Sequence, residues 1–159
     1  MAVRRVVTGT DEQGRSVILS DGAADGGDEL GAEGLWLTDP ARGLGAVAGP
    51  DTDYATLEPP PGGTSWRIFD LPTDEAVAEY LRTQDPDADT SGFHTTATID
   101  YVMILDGEVT LEVEDGSVAL KTGDCVVQRG TNHAWRNRSG RPVRMLVVMV
   151  STRGARNPS

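Results

Sequence analysis

Two histidines, His94 and His133, are the only imidazoles in this 159-residue chain. Chemistry that needs a group titrating near neutral pH rests on them. His94 opens the stretch His94-Thr95-Thr96-Ala97-Thr98-Ile99-Asp100. In extended backbone alternate residues share a face, so His94, Thr96, Thr98 and Asp100 point one way. An unbroken strand at ~3.3 Å per residue would still hold His94 and Asp100 about 20 Å apart, too far to act on one atom. By the same period of two, Trp135 and Asn137 share the face of His133. Trp135 could wall an aromatic pocket or simply pack a core, and Asn137 could hydrogen-bond a substrate. Arg67, set between Trp66 and Ile68, is a candidate inward cation. Arg136 has the outward parity, and Tyr101 and Met103 face away from Asp100. Cys125 has no nucleophile partner nearby and reads as a small buried hydrophobe. Taken singly, each histidine reads as a surface or hydrogen-bonded core residue.

The elements that must carry these residues are mostly strands. Val109, Leu111 and Val113 alternate with Thr110, Glu112 and Glu114, the pattern of a half-buried strand, between turns at Asp106-Gly107 and Asp115-Gly116. Short strands follow at Val118–Lys121, Cys125–Gln128 and His133–Asn137, and a last one at Val143–Val150. Earlier, Val3–Thr8 and Ser16–Leu19 predict a hairpin about Asp11–Gly14, Leu35–Leu37 a short strand, and Ser65–Phe69 a stronger one. Thr73 is a good N-cap for a helix over Asp74–Arg82, with Val77, Tyr80 and Leu81 on one face. Evenly spaced short strands joined by tight turns predict an all-β sandwich or barrel with one short helix.

Composition narrows the function. With 19 Gly and 9 Pro and an apolar fraction of 38%, the chain suits one turn-rich β domain. Residues 1–90 carry 18 acidic and 6 basic side chains, and residues 91–159 carry 7 and 8, out of a net charge of −11. Such acidity repels phosphate backbones and anionic lipid, so neither nucleic acid nor membrane is an expected partner. No apolar run approaches the ~20 residues of a membrane span. The N-terminus MAVRRVVTGT lacks an apolar segment after its arginines, and a single cysteine forms no internal disulfide. A cytoplasmic protein is expected.

The two histidine segments resemble the motifs of the cupin family. The first family motif, G-x5-H-x-H-x3/4-E-x6-G, is matched by His94, by Asp100 in place of the glutamate and by Gly107; Thr96 stands where the second histidine would be, and Ala88 where the first glycine would be. The second motif, G-x5-P-x-G-x2-H-x3-N, is matched by Gly123 and by Gly130-Thr131-Asn132-His133-Ala134-Trp135-Arg136-Asn137, with Gln128 replacing the proline and the opening spacer one residue shorter. The resemblance implies an antiparallel β-barrel (jelly-roll) over residues 65–151. Residues 1–64 would supply strands and loops that pack on it, and residues 152–159 a loose tail. It also implies a homodimer and a bend near Ala97-Thr98 that folds the first motif back on itself.

With that bend, the resemblance implies that His94, Asp100 and His133 converge as metal ligands and catalytic groups around one divalent ion (Fe, Mn, Zn or Ni). Thr96, Trp135, Asn137 and Arg67 would line the substrate pocket. Two imidazoles and one carboxylate suit Fe(II), Mn or a catalytic Zn. A metal-free pocket could instead use a histidine as general acid or base. The function expected is a metal-assisted or His-assisted lyase or isomerase acting on a small oxygenated substrate by dehydration, isomerisation, cyclisation or decarboxylation. An Fe(II) dioxygenase and a non-catalytic ligand-binding protein are the alternatives.

Overall fold

A computed structural model describes residues 4–23, 32–38, 57–87 and 89–153. Its strands run in chain order as β1 (Arg4–Thr10), β2 (Ser16–Ala23), β3 (Ala32–Thr38), β4 (Thr64–Leu71), β5 (Thr98–Asp106), β6 (Glu108–Val113), β7 (Gly116–Lys121), β8 (Cys125–Gln128), β9 (His133–Arg136) and β10 (Val143–Ser151). The helix α1 (Asp74–Gln84) lies between β4 and β5. β1 and β2 make a hairpin of their own. The other strands form a five-stranded sheet, β3-β4-β10-β5-β8, and a three-stranded sheet, β7-β6-β9, with antiparallel pairing throughout. β3 comes from the segment expected only to pack on the barrel, and it is hydrogen-bonded into the main sheet.

Side-chain alternation sets what lies between the sheets. Val143, Met145, Val147 and Met149 of β10 are buried on alternate positions, and Val102 and Ile104 of β5 join them. Val109 and Leu111 of β6 and Leu120 of β7 meet them from the other sheet, so the two sheets share one core. At ~25 cal/mol per Å2 of apolar surface removed from water, each such side chain contributes about 1.5–3 kcal/mol. The core is apolar at one end only. One row across the main sheet runs Ser65, Met149, Asp100, Gln128. With Thr96, Thr98 and His133 this end is polar, although every one of these side chains is buried.

One sequence expectation, a buried Cys125, is corrected here. Thr73 does cap α1, accepting from Ala76 N at 3.3 Å. The apolar face of the helix is not buried, however: no residue of α1 is, and Val77 and Tyr80 are exposed. The helix is held at its start instead, where Asp74 N donates to Asn137 O and Asp74 Oδ1 accepts from Asn137 N. Cys125 is exposed, because it lies on the outward parity of β8. Among the described residues, no helix is long and apolar enough to cross a membrane. Residues 154–159 of the expected tail lie outside the described residues.

Candidate functional site

The chain turns a corner between His94 and Thr98, and that corner builds the site. His94 forms an isolated antiparallel bridge to His133, each N–H donating to the other's carbonyl at 3.0 Å, so it belongs with the three-stranded sheet. From Thr98 onward the backbone belongs to β5 of the other sheet. Several groups pin the residues between. Ala97 N donates to Glu58 Oε1 at 3.3 Å, and Ala97 O accepts from Thr152 N and Thr152 Oγ1, both at 2.9 Å. Gly130, at φ +61°, passes so close that a Cβ there would lie 3.0 Å from Thr96 O. The bend needs no glycine or proline of its own, since its neighbours hold it.

The corner brings the two imidazoles together, their centroids 4.5 Å apart and their planes tilted by 49°. His133 is buried at 2% exposure, whereas His94 is exposed. His94 Nδ1 lies 3.0 Å from Gly92 O. A carbonyl can only accept, so Nδ1 carries a proton, and in the neutral ring Nε2 then presents the lone pair. His94 borders a cleft of about 830 Å3 that is also lined by Thr95, Thr96, Glu58, Pro59 and Arg153. A hollow of about 470 Å3 beside Glu108, Lys121 and Arg138 contains no imidazole and lies outside the site.

Asp100 stands behind Thr96 and Thr98 on β5. The Thr98 hydroxyl lies 2.5 Å from Asp100 Oδ1 and 2.8 Å from Thr96 Oγ1. With one proton it donates to the carboxylate and accepts from Thr96. Burial pushes the Asp100 carboxyl above its usual range; the Thr98 hydrogen bond and the charges of His133 and His94 oppose this, and Glu58 adds to it. Burial also lowers the pKa of His133, against its contact with Thr131 O; His94 lowers it further and Asp100 raises it. The interior thus favours an uncharged Asp100 and an uncharged His133.

Gln128, on β8 directly opposite Asp100, is buried against His133, its Nε2 2.6 Å from His133 Nδ1. Trp135 meets His133 edge-on at 6.2 Å while packing on the apolar core. It borders a separate hollow of about 180 Å3 together with His94 and Arg136. Arg67 is buried on the inner face of β4, one alternate position along from Ser65, whose Oγ accepts from Arg67 Nε at 2.7 Å. Thr96 lines the cleft by its position and is itself 5% exposed.

Asn137 is placed elsewhere, which corrects its reading as a substrate contact. Its Nδ2 donates to Leu71 O, Pro72 O and Arg141 O at 2.8–3.1 Å, and its Oδ1 accepts from Ser139 N and Oγ. Every polar atom of its amide is occupied in joining β4, α1 and the turn into β10. Arg136 is held by Glu112 at 2.6 Å and lies over Phe93 at 5.3 Å.

By chemistry, two imidazoles and a carboxylate suit a divalent cation. Asp100 is hydrogen-bonded by Thr98 and His133 Nδ1 lies against Gln128. Among the described residues no three His, Cys, Asp or Glu side chains are grouped to hold an ion. Thr98, Gln128 and Glu58 are site residues that the motif reading missed. The parity of Thr98 with Thr96 and Asp100 was the available signal for it; Glu58 is brought in only by the fold.

The comparisons with known proteins agree with this geometry. The family model described as "Cupin_2: Cupin domain" matches residues 80–149. "Phomopsin biosynthesis cluster protein C'" of Diaporthe leptostromiformis is 44% identical over 81 residues, which is 50% of this chain and 35% of that protein. The chain thus spans about a third of that relative's length. "Cupin-domain-containing oxidoreductase virC" of Hypocrea virens is 26% identical over 92% of this chain and 74% of that protein. The Cnp3 cupin domain of Schizosaccharomyces pombe superposes with a TM-score of 0.50 at 10% identity, covering 93% of this chain and 87% of that one, a likeness of fold alone. Both histidine segments, bridged at one polar end of a two-sheet antiparallel fold, lie within residues 80–149, the stretch that matches the cupin model.

Proposed function

We propose that this chain is a biosynthetic enzyme of the lyase or isomerase class that moves protons on a small oxygenated substrate with its own imidazoles. The carrying observation is the His94–His133 pair, an exposed imidazole with a bare Nε2 beside a cleft and a buried one directly behind it. His94 is the base that takes a proton α to a carbonyl, and His133 serves the substrate oxygen. Positioned proton transfer of this kind contributes about 10²–10⁴-fold to rate. The biosynthetic setting is carried over from the relative named for a phomopsin cluster. The homodimer expected of the family is kept as part of this reading.

The test uses the full chain dialysed against EDTA and exchanged into D2O. A panel of β-hydroxy and enolisable carbonyl compounds is followed by proton NMR for α-hydrogen exchange and loss of water. We expect exchange or dehydration with at least one compound that EDTA does not suppress, falling 100-fold or more in His94→Ala and in His133→Ala. Activity that depends on added metal, or that survives both substitutions, would overturn the reading. A second reading, an Fe(II)-dependent dioxygenase, draws only on the word oxidoreductase in the description of the Hypocrea relative, which names no metal. Iron-dependent oxygen uptake in the same samples would select it.

A further inference from the structure

We infer that Gln128 is a positioning residue that fixes His133 in its Nε2–H form, so that His133 offers the site a proton donor and not a metal-binding lone pair. The inference deepens the acid–base reading above and rests on it for the use made of that proton.

The hydrogen bonds around Gln128 leave its amide one orientation. Oε1 accepts from Gly130 N at 2.7 Å, and Nε2 donates to Thr131 O at 2.7 Å. Turning the amide over would set N–H against N–H at Gly130 and oxygen against oxygen at Thr131. The second Nε2 proton then has two neighbours, His133 Nδ1 at 2.6 Å and Thr131 Oγ1 at 3.1 Å. The closer one decides. Two nitrogens approach to 2.6 Å only with a single hydrogen between them, and the amide cannot give up its own, so Nδ1 is the acceptor. The competing partner is Thr131 O, 2.9 Å from Nδ1. That carbonyl already takes a proton from Gln128, and a proton on Nδ1 would meet the amide N–H head on. The imidazole hydrogen therefore sits on Nε2.

A metal-bound histidine usually does the reverse, donating Nδ1–H outward to a carbonyl or carboxylate and coordinating through the other nitrogen. Gln128 stands at the position where the second motif has a proline, which has no side-chain donor at all. Replacing that proline changes what His133 can do. His94 then supplies an acceptor Nε2 and His133 a donor Nε2–H, on rings whose centroids lie 4.5 Å apart. That is the complementary pair needed to remove a proton from carbon while hydrogen-bonding the neighbouring oxygen.

The experiment is long-range proton–nitrogen correlation NMR on uniformly 15N-labelled full chain near neutral pH, without substrate. Only two imidazoles give signals, and His94→Ala assigns them. In the wild type we expect His133 neutral with Nε2 protonated. Gln128→Glu puts an acceptor against Nδ1 and is expected to move the proton to Nδ1. Gln128→Met leaves Thr131 O as the sole partner and is expected to do the same. A wild-type His133 protonated on Nδ1, or one tautomer unchanged across folded Gln128 variants, would overturn the assignment. The wild-type spectrum alone decides if neither variant folds. The tautomer is read without turnover, so failure of the carbonyl panel would count against the acid–base reading and leave this inference standing.

Discussion

At the scale of single residues, burial pushes Asp100 and His133 toward their uncharged forms. Asp100 in the folded chain holds its proton to a higher pH than in the unfolded chain. The folded state therefore binds more protons as pH rises through the interval from the ordinary Asp value to the raised one. Stability contributed by neutral Asp100 is complete below that interval and lost across it. Asp100→Asn should raise stability at pH 7, with the gain shrinking to nothing as pH falls below about 4. Urea unfolding of both proteins from pH 3.5 to 7.5 checks this, and a variant less stable at pH 7 would show that the carboxylate's contacts outweigh its burial. His133 runs the other way: its folded pKa is depressed, so stability is lost as pH falls from about 6.5 through the lower folded value. The sequence carried His94, His133 and Asp100 openly, because their types and motif spacing are themselves the signal. The role of Gln128 was not legible, since a glutamine's orientation depends on Gly130 and Thr131, which only the folded turn brings to it.

At the scale of elements, the decisive feature is the corner at residues 95–97, and the turn before β9 helps to hold it. Gly130 needs φ +61° and has Thr96 O and Thr98 O within 3.4 Å of where a Cβ would stand. Gly130→Ala should destabilise by about 1–2 kcal/mol from the left-handed backbone, with more from the crowding. It should also disturb the His94–His133 bridge, which thermal unfolding and the imidazole NMR signals would register together. Asn137 makes the matching argument at the other end of β9. Asn137→Ala takes away the two amide protons shared by the partly buried carbonyls of Leu71, Pro72 and Arg141. At roughly 1–3 kcal/mol for a polar group left unpaired, a loss of about 1–3 kcal/mol is expected, read by chemical denaturation. A substrate contact would lose activity and keep stability; the opposite pattern is expected here. β6 was readable from its period-two alternation and β10 from its run of apolar residues. The exposed face of α1 was not, because helical periodicity reports where apolar residues align and says nothing about whether another element covers them.

At the scale of the whole molecule, the two faces of the main sheet divide the work. The inner face carries Asp100, Gln128 and Arg67 at its polar end and the aliphatic core beyond. The outer face lines up Trp66, Val148, Tyr101 and Val127 in one row across β4, β10, β5 and β8. Trp66, Tyr101 and Val127 are 43%, 51% and 59% exposed, and Met103 stands exposed in the next row. The sequence already put Tyr101 and Met103 on the side away from Asp100, and parity alone sufficed for that. A row of aromatic and branched side chains on a pleated surface is the kind of area an association between copies would bury. The acidic first ninety residues set a limit on where copies can meet, since like-charged surfaces repel and a contact there would weaken at low salt. The homodimer proposed above is expected to make its contact on this outer face. Sedimentation equilibrium at micromolar concentration should give twice the chain mass. Tyr101→Glu should give the single-chain mass at the same concentration, because it sets two carboxylates against an apolar contact. The inner face is untouched by that substitution, so the His94 and His133 imidazole signals should keep their wild-type tautomers in the monomer. A wild-type chain that sediments as a monomer, or a Tyr101→Glu variant that remains dimeric, would remove the outer sheet face from consideration as the contact.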